Sequence, residues 1–192
     1  IIPGMASWVL VIGLAAAAYR IELLKKTTPG STPPDNTRPL SQSYTLGAGQ
    51  AMRYPDLVDS LFHFSGAAAL RIVPTSGVLH GTSRTYNLMV AGNPLGLPPG
   101  ATFGQFVPAL AESEAVNASE ASHLLMLSQD ADYRTNLGLV NATASQLAMK
   151  VELYRPDGSK LGTLQGLPET TLPPYGYIQI DKLPMFGNPQ WF

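Results

Sequence analysis

Residues 133–164 read YRTNLGLVNATASQLAMKVELYRPDGSKLGTL, and a worn copy of that layout stands at residues 8–30, WVLVIGLAAAAYRIELLKKTTPG. Each stretch opens on an aromatic residue and runs through apolar positions to a patch of small residues. Each then resumes as an alternating run that ends at a Pro/Gly turn. Alternation with a period of two marks a half-buried strand, because successive side chains point to opposite faces. A second match follows: TTLPPYGYIQIDKLPMF (170–186) mirrors YTLGAGQAMRYPDLVDSLF (44–62) as strand, turn, strand and short apolar turn. The layout predicts an internal duplication in an all-β chain.

Working outward, strands are expected at Trp8–Leu14, Tyr19–Lys26, Tyr44–Leu46 and Gln50–Tyr54, then a helical turn at Asp56–Phe62 capped by its aspartates. Residues 27–39, with four prolines and a glycine, predict a long exposed loop. Residues 68–90 predict a hairpin turning at Pro74–Gly77, and 102–110 a closing strand. The acidic and small residues of 112–122 suggest the boundary, giving units 1–116 and 117–192. In the second unit strands are expected at His123–Leu127, Tyr133–Val140, Leu147–Tyr154 and Lys160–Gln165, with a turn at Arg155–Gly158. The second unit stops where the counterpart of the 68–90 hairpin would begin, so it is expected to lack its last strands unless a neighbour completes it.

Composition narrows the setting. The chain has 192 residues, 45% of them hydrophobic and 13% charged, with a formal net charge of −1. That balance carries no electrostatic footprint for nucleic acid. With no cysteine, disulfides, thiolate metal sites and cysteine nucleophiles are excluded. The apolar run Ala6–Tyr19 is shorter than the roughly 20 residues of a membrane span. Its charges also follow rather than precede it, unlike a signal peptide. Membrane insertion is therefore not expected. A pilin-like N-terminal helix is kept as one alternative.

Catalytic and metal constellations are weak. His63, His80 and His123 are isolated, and the serines lack a nucleophile elbow. No enzyme activity and no cofactor are expected. Asp130 and Asp132 form the best acidic cluster, a weak calcium candidate set against the blander reading of a solvated turn. Asn117-Ala-Ser and Asn141-Ala-Thr match the glycosylation acceptor pattern. Trp191 and Phe192, and Ile1 and Ile2 at the other end, are costly to leave in water and should dock in a groove. With Trp8, Val9 and Val11 they make the expected assembly interface.

The segments SRTYN (83–87), TFGQFVPAL (102–110), DADYRTNLGLVN (130–141) and LPPYGYIQID (172–181) resemble repeats of large secreted or surface-exposed bacterial proteins, the "FRTNLGLVNP"-type modules. The resemblance implies two tandem Ig-like antiparallel β-sandwich units in an extracellular or cell-surface setting. The first strand departs from the pattern, since Trp8–Ile12 lacks polar outward positions. The expectation is a structural subunit that binds copies of itself into a filament, fibre or surface layer. The alternative is an adhesion module for a surface glycan or protein, using Tyr175, Tyr177 and the 27–39 loop.

Overall fold

The computed structural model describes residues 5–28, 31–92, 98–125, 127, 135–163 and 170–180. It is built almost wholly of antiparallel β-sheet, in two units. The first comprises 1–23 and 39–111, the second 24–38 and 112–192. The later boundary falls where acidic and small residues cluster. The excursion 24–38, expected in the first unit, belongs to the second. Its contacts explain why: Thr27 N–H donates to the Tyr177 carbonyl at 2.6 Å, and Lys26 bridges Tyr177 in parallel.

The first unit contains β1 (Met5–Gly13), β2 (Ala17–Lys25, whose last two residues belong to the second unit), β3 (Leu40–Leu46), β4 (Ala51–Pro55), α1 (Leu57–Phe62), β5 (Ala68–Ser76), β6 (Leu79–Leu88) and β7 (Thr102–Pro108). One sheet runs β4-β1-β6-β7 and the other β3-β2-β5. Val9 and Val11 of β1 meet Tyr19 and Ile21 of β2, with Leu46 and Leu57 closing the core. Each of these is at most 6% exposed, so their burial drives the two sheets together.

The connectivity is nested. β1 pairs with β4 and β2 with β3; β5 and β6 then return to the other edges of β2 and β1. β1 and β2 lie in different sheets. The nested order is of the jelly-roll type. The expected 68–90 hairpin is corrected on the same ground, because β5 and β6 also lie in different sheets. Gly77 makes that crossing possible: its φ is +76°, and a Cβ there would collide with the carbonyl of Ala16. Residues 5–13 and 17–25 are strands, which overturns the N-terminal-helix alternative. No described helix is long and apolar enough to cross a membrane. The Asp56 cap also differs from expectation. Asp56 adopts φ 44° and makes no side-chain cap bond; its carbonyl instead accepts from Ser60 N–H at 2.8 Å.

The second unit contains β8 (Leu137–Val140), β9 (Leu147–Met149), β10 (Glu152–Tyr154), β11 (Lys160–Thr163), β12 (Thr170–Leu172) and β13 (Tyr177–Ile180). Leu172 and Ile178 form its core, with Leu137, Leu139, Met149, Val151 and Leu153 packed around them. The single strand expected over Leu147–Tyr154 is broken into β9 and β10, and His123–Leu125 forms no strand.

The pairings repeat those of the first unit. β8 pairs with β13 as β1 does with β4, and β9 pairs with β12 as β2 does with β3. Register repeats as well. Val11 faces Met52 and Leu10 faces Arg53; in the second unit Leu139 faces Ile178 and Gly138 faces Gln179. Ala17 faces Leu46 as Leu147 faces Leu172. Even the turns correspond: Gly13 N–H donates to the Gln50 carbonyl at 2.9 Å, and Asn141 N–H to the Gly176 carbonyl at 2.8 Å. A one-residue slip would turn every side chain to the other face, so agreement at this level is a duplicated fold, not a loose similarity of pattern.

Candidate functional site

The duplication exposes a difference. In the first unit β1 has β4 on one edge and β6 on the other, while β2 lies between β3 and β5. In the second unit β8 pairs only with β13 and β9 only with β12 among the described strands. The edges that correspond to those covered by β6 and β5 carry no described strand. An open edge presents a row of unpaired amides and carbonyls to another strand.

Among the described strands, β7 is an edge of the complementary kind. It pairs with β6 on one side and ends the order β4-β1-β6-β7. Thr102–Pro108 contains no charged residue; Phe106 is 60% exposed and Val107 44%. The other edges of this unit are better guarded or more polar: β4 carries Arg53 and Pro55, β5 carries Arg71 and Pro74, and β3 reads LSQSYTL. Charges and prolines on an edge discourage pairing with another chain. β7 has its only proline at its end.

The outer face of the same sheet is the second feature. Because Val9 and Val11 point into the core, Trp8, Leu10 and Ile12 point outward. Their cross-strand neighbours are Arg84, Thr82 and His80 on β6, and Phe106 lies opposite Arg84 on β7. The Arg53 guanidinium sits 5.8 Å from the Trp8 ring centroid, and that of Arg84 sits 5.3 Å from the Tyr86 ring. Stacked Arg and aromatic side chains are the residue types that dominate protein interfaces.

Inside the units, polar groups that could pass for sites are structural. Glu22 is 2% exposed. Arg20 Nε binds its Oε1 at 2.6 Å and Arg71 Nε its Oε2 at 2.7 Å, so the carboxylate is fully paired. Glu152 holds the corresponding place between Lys150 and Lys160, and hydrogen bonds from both lysines and from Tyr154 lower its pKa to about 2. Tyr19 and Tyr54 share a hydroxyl–hydroxyl bond of 2.6 Å, and burial, joined by that bond, raises the Tyr54 pKa far above the usual phenol value. A shallow cleft beside them is lined by Ala18, Ser43, Tyr44, Thr45 and Thr75, without a carboxylate or histidine to work on a substrate.

The residues expected to form sites are distributed as follows. Val9 and Val11 are 5% and 0% exposed, inside an interior strand, so they are corrected from assembly surface to core. Trp8 stays on the outer face. Ile1, Ile2, Trp191, Phe192, Asp130 and Asp132 lie outside the described residues. Among the described residues no three His, Asp or Glu side chains are grouped to hold a metal. Asn141 is fully buried: its Nδ2 donates to the carbonyls of Ser145 (2.7 Å) and Pro173 (2.9 Å), and its Oδ1 accepts from Thr143 N–H and Oγ1 at 2.9 Å. Its amide is thus closed to glycosylation in the folded chain; Asn117 is exposed. Tyr177, expected to be exposed for binding, is 8% exposed. Loop 27–39 is also more than solvated. Asn36, 2% exposed, bonds both backbone groups of Lys25 at 3.0 Å and the Tyr175 carbonyl at 3.1 Å.

No protein-family model, curated protein or solved structure matches this chain.

Proposed function

We propose that the protein is a non-catalytic structural module that joins copies of itself through open strand edges, in an extracellular or cell-surface assembly. The observation that carries this reading is the register-for-register duplication, in which β8 and β9 lack, among described strands, the partners that cover β1 and β2. Pairing with an added strand satisfies backbone groups that an open edge leaves to water, and alternate side chains then set specificity. The extracellular setting is supported by the resemblance of residues 83–87, 102–110, 130–141 and 172–181 to surface-protein repeats. Sedimentation velocity over a hundredfold range of concentration, with electron microscopy of the same samples, tests the reading. Concentration-dependent growth into ordered polymers is expected. A monomer at every concentration would contradict it.

The outer face bearing Trp8, Arg53, Arg84, Tyr86 and Phe106 favours a second reading, an adhesion module that docks a protein partner. The two readings separate cleanly: an assembly module polymerises without ligand, whereas an adhesion module stays monomeric until its partner is added.

A further inference from the structure

Resting on the assembly reading, we infer that the strand received by the β8 edge is β7 of a second copy, added antiparallel in one register, so that copies join head to tail.

The acceptor is defined by correspondence. β8 matches β1 residue for residue against its β4-like partner, and β1 takes an antiparallel strand, β6, along its other edge over nine residue pairs. The edge of β8 that carries no described strand is therefore shaped for an antiparallel strand whose inward residues join the face of Leu137 and Leu139. Those two leucines pack on the Leu172–Ile178 core.

The donor is defined by exposure and chemistry. Two edge strands of the first unit lack charge: β7 exposes two large apolar side chains, Phe106 at 60% and Val107 at 44%, whereas β3 exposes only Leu40, at 47%, in an otherwise polar run. The inward parity of β7 is set by β6. Gln105 and Val107 lie opposite Thr85 and Ser83, on the face of Val9, whereas Phe106 lies opposite Arg84 on the outer face.

Face and side chain together select the register. Placing Val107 opposite Leu137 and Gln105 opposite Leu139 keeps the inner face continuous. It also sets Phe106 opposite Gly138 and Gly104 opposite Val140. Each glycine then faces a large exposed side chain, Phe106 at 60% and Val140 at 47%. Gly138 has room for it, since a Cβ there would come no closer than 3.9 Å to Tyr177. An aromatic ring laid over a cross-strand glycine is a known way of pinning register. Because donor and acceptor are different surfaces of one chain, the contact is head to tail, and each added copy carries a free donor and acceptor into the growing ring or filament.

The absence of cysteine makes the test direct. Phe106→Cys and Gly138→Cys are made singly in the full chain, mixed, and oxidised during assembly; the double variant is oxidised alone. The expected result is a covalent dimer in the mixture, none from either single variant, and a covalent ladder from the double variant. Gln105→Lys/Val107→Lys, at the rim of the sheet, should keep the wild-type circular dichroism and abolish assembly. Wild-type polymers that give no 106–138 bond, and that survive the double lysine variant, would overturn this inference while leaving the assembly reading intact. A monomeric wild type would remove both.

Discussion

Tyr175 stands, in the second unit, where Gly49 stands in the first: both adopt the left-handed backbone conformation, at φ 52° and 70°, in turns that join corresponding strands. The residue that follows closes each turn in the same way. Gln50 N–H donates to the Gly47 carbonyl at 3.1 Å, and Gly176 N–H to the Pro173 carbonyl at 2.9 Å. One turn uses the residue that is free to be left-handed; the other holds a tyrosine there at a cost.

Gly49→Ala is accordingly expected to destabilise the first unit by about 1–2 kcal/mol through backbone strain alone, since nothing lies within 4 Å of a Cβ built there. Gly49→Asn should recover part of the loss, because asparagine visits this region more readily. Urea unfolding of the three proteins measures both. An alanine variant as stable as wild type would remove the backbone explanation.

Glu22→Gln should cost roughly 2–3 kcal/mol, as it leaves two guanidinium groups facing a neutral amide at a buried position. Arg20 and Arg71 side chains keep 39% and 30% of their exposure, so water limits the penalty. Arg71→Ala should cost less than Glu22→Gln, because Arg20 still neutralises the carboxylate. Thermal unfolding ranks them.

Tyr54→Phe removes the partner of the Tyr19 hydroxyl, whose residue is 1% exposed. A loss of about 1–2 kcal/mol is expected. Tyr19→Phe/Tyr54→Phe should be more stable than the sum of the single changes predicts, because no unpaired buried hydroxyl remains. Additive losses in the double-mutant cycle would show that the hydroxyl pair is not coupled.

Glu152 is the group to follow with pH. Its pKa is lowered from 4.5 to about 2 by Lys150, Lys160 and Tyr154. A depressed carboxylate adds stability that is fully present above the unfolded value of 4.5 and is lost as pH falls through the folded value near 2. The β10–β11 hairpin should therefore hold its cross-strand contact at pH 5 and lose it progressively between pH 4.5 and 2. Its exposure makes the effect sensitive to salt. Carboxyl carbon NMR of Glu152 reads the midpoint directly; a midpoint near 4.5 would deny the interaction.

Much of this fold was legible in the chain itself. Alternation at Tyr19, Ile21 and Leu23 marks the inward face of β2, and all three are at most 1% exposed. The small-residue patch at 15–18 marks the crossing between sheets. Pairing was not legible. The residues around Gly77 announce a reversal, but a reversal into the same sheet and one into the facing sheet carry the same local signal, so the β5–β6 crossing read as a hairpin. The burial of Glu22 was not legible either, because it depends on Arg71, forty-nine residues away. Loop 27–39 looked solvated because its prolines and polar residues are surface types. Its anchoring rests on one asparagine, Asn36, and on a carbonyl of Tyr175 that no local pattern announces. Of the expected assembly residues, Trp8 kept an outward position because strand parity decides it. Val9 and Val11 carry no local mark that separates core from surface stripe, because their burial comes from Tyr19, Ile21, Leu46 and Leu57, which approach from outside β1's own sheet.

Hydrogen exchange on β8 reads the state of its edge. Amides of Leu137–Val140 that point away from β13 should exchange fast in dilute protein and become protected as concentration brings copies together, while β1 amides stay protected throughout. Equal exchange at β8 in dilute and concentrated samples, with polymers present in the latter, would contradict the account of an edge completed by a neighbour.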